Sequence, residues 1–160
     1  MRALPHVSLI LGMVVFLAAD DAKKKKQSDY DKLQGMWVTG ESWKDGEREA
    51  KDAKEPEVYR FVNRTVEFGT LVRGKFVSVK KLGPFTGPLK LDESKSPKHM
   101  TVTFEGTALF FVYSLKGDTL KIGFFVEDLD FQRPKTLPGK GKKGKGLFVA
   151  TLTRVQPKKP

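Results

Sequence analysis

Cysteine is absent from this 160-residue chain, which excludes disulfides, thiolate nucleophiles, iron–sulfur clusters and cysteine-based zinc sites. Histidine is nearly absent: His6 and His99 are the two copies, and His6 falls in an apolar leader. One remaining imidazole cannot build a metal site of several histidines, so no metal and no other cofactor is expected. Helical periodicity is scarce, and no internal repeat of solenoid or propeller length is present.

The leader is the first positive signal. Arg2 is followed by an apolar run from Val7 to Leu17, broken by Ser8 and Gly12, then by Ala18-Ala19 and the acidic Asp20-Asp21. This is the pattern of a secretory signal peptide over residues 1–19. The run is shorter than the ~20 apolar residues of a spanning helix. Export to the periplasm, cell envelope or extracellular medium is the expectation. Residues 20–28, with four consecutive lysines and no large apolar side chain, read as a basic flexible linker, and 156–160 as a disordered tail. Residues 29–155 remain as one domain, long enough to bury roughly two thirds of its unfolded surface.

Within that domain the periodicity is two. Thr101-Val102-Thr103-Phe104 alternates polar and apolar residues, and Leu109, Phe111, Tyr113 and Leu115 share one face. Leu120, Ile122 and Phe124 share another, as do Phe148, Ala150 and Leu152. Half-buried strands require this alternation. Lys116-Gly117-Asp118 between two such runs predicts a hairpin. Earlier strands are expected over 36–43, 58–63, 65–68, 71–79 and 87–91, and one short helix around Glu47–Lys54. The sum is an all-β protein: a small antiparallel sandwich or barrel.

Candidate chemistry is thin. Gly139-Lys-Gly-Lys-Lys-Gly-Lys-Gly146 has the glycine and lysine spacing of a phosphate-binding loop. Gly146, however, stands where Ser or Thr must hold magnesium, and a strand rather than a helix follows. A basic hairpin loop fits better. The formal net charge of +11 is concentrated in this loop, the linker and the tail, rather than spread over a strand face. Specific nucleic-acid binding is therefore not expected, since it needs exposed aromatics interleaved with a basic groove. His99 lies in a lysine-rich turn, and Glu127, Asp128 and Asp130 lack the further ligands of a calcium loop. Asn63-Arg64-Thr65 fits a glycosylation sequon. No catalytic constellation emerges, and a non-enzymatic protein is expected.

Two features carry a structural mechanism: Gly35-Met36-Trp37 opens the first strand and Arg154 closes the last. In a closed barrel those strands are neighbours, and Arg154 can stack on Trp37 as a barrel-closing pair. From these residues the chain resembles an uncharacterised exported domain family abundant in planctomycete bacteria. The resemblance spans Leu33-Gln34-Gly35-Met36-Trp37, the Leu91–Lys98 block, Tyr113–Ile122, Arg133-Pro134 and Leu152-Thr153-Arg154. Thr101 and Gly123 stand where that family usually carries Asp and Cys. The resemblance implies a domain and no particular reaction. Gly35, Trp37 and Arg154 are also similar to lipocalins, whose barrels open with Gly-x-Trp and place an arginine over that tryptophan. This second resemblance implies a lipocalin-like barrel of about eight strands that holds a small apolar ligand or an envelope component.

Phe76, Phe104, Phe111, Tyr113, Phe124 and Phe148 are the candidates to line such a cavity, or to fill it. The alternative is an interaction module, with Lys140, Lys142, Lys143 and Lys145 contacting an anionic envelope polymer or a lipid surface. A monomer is expected in either case.

Overall fold

A computed structural model of the chain describes residues 27–49, 56–78, 86–126, 132–137, 139 and 144–156. The leader, most of the linker and most of the tail lie outside those residues. The elements are α1 (Asp29–Leu33), β1 (Gly35–Lys44), β2 (Glu47–Arg48), β3 (Glu57–Val62), β4 (Thr65–Val72), β5 (Lys75–Ser78), β6 (Thr86–Asp92), β7 (Lys98–Phe104), β8 (Thr107–Lys116), β9 (Thr119–Phe125) and β10 (Leu147–Arg154).

Each strand pairs antiparallel with its neighbour in chain order, and β10 pairs back onto β1, so eight strands close into a barrel. The two short strands stand outside this ring: β2 hairpins onto β1, and β5 pairs with β4. Turn chemistry sets the hairpins. Asp45-Gly46, Arg73-Gly74 and Glu105-Gly106 have positive φ at both central positions, the geometry whose twist matches paired strands. The Asp45-Gly46 turn also corrects the helix expected around Glu47–Lys54. Glu47 and Arg48 pair with Lys44 and Trp43 as β2, while 50–55 lie outside the described residues.

Alternation carries the core. Met100, Val102 and Phe104 of β7 point inward, facing Phe111 and Tyr113 of β8, then Leu120 and Ile122 of β9, then Ala150 and Leu152 of β10. Burying each large side chain contributes about 1.5–3 kcal/mol. The helix α1 escaped the sequence reading because five residues carry too little periodicity to register. Ser28 caps it, its Oγ accepting from the Asp31 amide at 3.3 Å.

A helix this short is unstable alone, and tertiary contacts supply what it lacks. Its last carbonyls find donors from the barrel. Trp37 Nε1 donates to Leu33 O at 2.7 Å, Arg154 Nη1 donates to Gln34 O at 2.6 Å, and Arg154 Nη2 donates to Lys32 O. Arg154 stands opposite Trp37 in the β1–β10 register, with its guanidinium carbon 4.2 Å from the ring centroid. Helix, tryptophan and arginine together seal one end of the barrel. The turns at Asn63-Arg64, Glu93–Pro97 and Gly117-Asp118 share that end, and those at Asp45-Gly46, Arg73-Gly74 and Glu105-Gly106 ring the other.

Trp37 is fully buried at this seal. Trp37→Ala is expected to cost about 3–5 kcal/mol. Thermal unfolding followed by circular dichroism checks this, with a fall in midpoint on the order of 10 °C as the expected result.

Candidate functional site

The sealed end is built around one buried carboxylate. Asp29 opens α1 and is 1% exposed. Its Oδ2 accepts from Lys98 Nζ at 2.5 Å and from the Tyr113 hydroxyl at 3.0 Å, and its Oδ1 accepts from Lys32 Nζ at 3.3 Å. Glu93 Oε1 accepts from the Asp29 amide at 2.9 Å, tying the β6–β7 turn to the helix. Burial by itself raises the Asp29 carboxyl, but the hydrogen bonds from Lys98, Tyr113 and Lys32 outweigh it and hold it below its ordinary value. Tyr113 is pushed up, first by burial and then by its bond to Asp29. Tyr113 is therefore a neutral hydrogen-bond donor at the base of the lumen.

The opposite end is lined with aromatic rings. Phe111, Phe124 and Phe148 form one arc, with centroids 4.6 Å and 5.0 Å apart. Tyr59, Phe68 and Phe104 form a second, at 4.4 Å and 5.4 Å. Phe104 and Phe111 are buried, whereas Phe68, Leu109, Phe124 and Phe148 are half-buried at that end. Between the two ends, β1 turns small polar residues inward. Thr39 faces Leu152 and Ser42 faces Ala150, and Thr39 Oγ1 is buried with no hydrogen-bond partner.

Phe76 does not join the other lumen candidates. It stands opposite Leu71 on β5, on the outer face of the sheet. A Cβ at Gly69 would come within 2.7 Å of its ring, and Arg60 stacks on it at 4.3 Å while also donating to Glu67 at 2.6 Å. Its inward assignment fails because the Arg73-Gly74 turn folds β5 beside β4 instead of continuing the barrel wall.

Protein-family models, curated proteins and solved structures offer no match to this chain. Its site is therefore described by its own geometry. Among the described residues no group of three or more His, Asp or Glu is placed to hold a metal ion. His99 faces outward beside Arg133; partial burial, then the Arg133 and Lys95 charges, lower its imidazole below the ordinary value. Asn63 occupies an exposed turn between β3 and β4. Glu127, Asp128, Asp130, Lys140, Lys142 and Lys143 lie outside the described residues, and Lys145 is exposed.

A second apolar layer, which strand alternation does not disclose, lies on the outer wall. Val112 and Val149 have outward parity yet are buried, and Gly123 stands in register between them. The segment 132–137, between β9 and β10, lies against this side. Arg133 stacks over Phe110 at 5.0 Å and donates to Thr101 Oγ1 at 2.8 Å, and Pro134 is buried. Arg133 thus half-covers the outward ring of Phe110.

The Asp29 network generates a pH prediction. A carboxyl depressed in the fold contributes stability above its unfolded value near 3.9, and that contribution is lost as pH falls through the folded value. Asp29→Asn is expected to destabilise the protein by about 1–3 kcal/mol at pH 7. The gap to the parent chain should shrink below about pH 4. Denaturant titrations at pH 7 and pH 3 measure it, and an equal gap at both would contradict the assignment.

Proposed function

We propose that this is an exported, non-enzymatic barrel protein that takes a small apolar ligand, or the apolar part of a cell-envelope component, at its open end. The observation that carries this reading is the asymmetry of the barrel. One end is sealed by α1, Trp37 and Arg154, while inward aromatic side chains at the other stay half-buried. Apolar rings left in partial contact with water gain free energy when a ligand covers them. The leader supports export, and the absence of any catalytic constellation supports a binding role.

A second reading, attachment to anionic polymers or lipid surfaces through Lys140, Lys142, Lys143 and Lys145, rests on the lysine run in the sequence. Of these, Lys145 is exposed beside Gly146, whose carbonyl accepts from the Val126 amide at 2.8 Å.

Titration with the neutral fluorophore N-phenyl-1-naphthylamine tests the first reading. Saturable binding is expected, changing less than about twofold between low and physiological salt, because an uncharged apolar contact is not screened. Phe148→Ala should weaken it by about tenfold or more, the equivalent of one buried phenyl ring. No saturable binding, or affinity untouched by Phe148→Ala, would remove the mouth from consideration. Retention on an anionic matrix that falls steeply with salt and is lost on neutralising the four lysines would favour the loop.

A further inference from the structure

At the sealed end, on the outside of the barrel, lies a second concavity that the mouth reading does not use. It has a volume of about 350 Å³ and opens between the β6–β7 turn, the end of β8 and the segment that follows β9. Its apolar lining comes from Pro97, Leu115 and Leu137, with the buried Tyr113 behind them. Lys95, Lys98, Lys116, Ser96 and Ser114 complete the lining.

Two of these groups are held in place from behind. Lys98 Nζ is fixed by Asp29 at 2.5 Å, and the Asp29 side chain is 2% exposed against 35% for Lys98. The lysine is thus anchored by a buried carboxylate while part of it reaches the cleft. Its anchor also holds the Tyr113 hydroxyl, which ties the strand behind the cleft to the same carboxylate. Lys95 and Lys116 close no ion pair with a described residue. The two carboxylates of the adjoining turn are occupied locally: Glu93 accepts from the Asp29 amide, and Asp92 accepts from the Ser94 amide and hydroxyl at 3.1 Å and 2.6 Å. Lys95 and Lys116 therefore supply the cationic charge beside an apolar floor, the charges of Lys98 and Asp29 offsetting one another.

We propose that this cleft binds a small organic anion with an apolar body, an aryl or alkyl group bearing a phosphate, sulfate or carboxylate. The lysine and serine side chains match the anionic head through charge-assisted hydrogen bonds, and the Leu115 and Leu137 surface matches the body. Neither half suffices: exposed lysines alone attract any anion weakly, and an open apolar floor alone holds little.

Amide chemical-shift titration of the full chain with phenyl phosphate tests the site, with inorganic phosphate and phenol as the two half-probes. Saturable shifts are expected at Ser96, Ser114, Lys116 and Leu137, at phenyl phosphate concentrations where neither half-probe saturates. Lys95→Gln combined with Lys116→Gln should weaken binding at least fivefold without altering the spectrum of the free protein, and Leu137→Ser should weaken it independently. Absence of saturable shifts would overturn the proposal, as would shifts confined to Phe124 and Phe148 at the mouth or affinity unchanged in the double variant. Equal binding of inorganic phosphate would overturn the apolar half, and equal binding of phenol the anionic half. Because the cleft and the mouth lie at opposite ends, failure of one leaves distinct signals for the other.

Discussion

The arginine at the end of the last strand is the residue on which the rest of the structure depends. A sheet that closes on itself must join its first and last strands, and a barrel that is to have an inside must also be shut at one end. Arg154 serves both requirements. One face of its guanidinium covers Trp37, and its N–H groups reach Lys32 O, Gln34 O and the Asp118 carboxylate. A planar cation with five donors suits this position, where a lysine could neither stack nor fork. With Trp37 Nε1 on Leu33 O, three successive carbonyls at the end of α1 are satisfied. The helix is held by the barrel, and the barrel is sealed by the helix.

That seal makes the two ends chemically different. At the base, Asp29 gathers Lys98, Lys32 and Tyr113 into a charged, hydrogen-bonded cluster beneath the helix. At the mouth, the same inward faces continue as aromatic rings that nothing comparable covers among the described residues. The distinction follows from placement rather than composition, because Phe111 and Tyr113 occupy one face of one strand and differ chiefly in which end they approach. A buried carboxylate also explains why the base is selective about its partners. It needs cations and donors within hydrogen-bond reach, and the strands that supply them must be in register.

Strands were legible because alternation is local. The faces through Val102, Phe111, Ile122 and Ala150 follow from neighbours two residues apart, and the hairpin between β8 and β9 from Gly117. Alternation misled at Phe76, where a two-residue turn moved the strand off the barrel wall, and over Glu47–Arg48, where the Asp45-Gly46 turn outweighed a weak helical pattern. It was silent about Val112 and Val149. Their parity says solvent, yet both are buried, and single-layer reasoning has no means of adding a second layer. Asp29 was equally hidden, since an acidic residue next to a lysine-rich linker reads as solvated until Lys98 and Tyr113 are brought to it.

By itself the sequence determined the all-β class, most strand positions and the exclusion of thiol chemistry, because each rests on composition or on spacings of a few residues. Closure of the last strand onto the first, with Arg154 over Trp37, was an expectation of the sequence. Only the tertiary structure decided that Arg154 reaches past Trp37 to the carbonyls of α1, and which side chains meet at the base, the mouth and the outer cleft. The base and the seal join residues 64 to 122 positions apart in the chain. Contacts of that kind depend on register and closure, which no local pattern encodes.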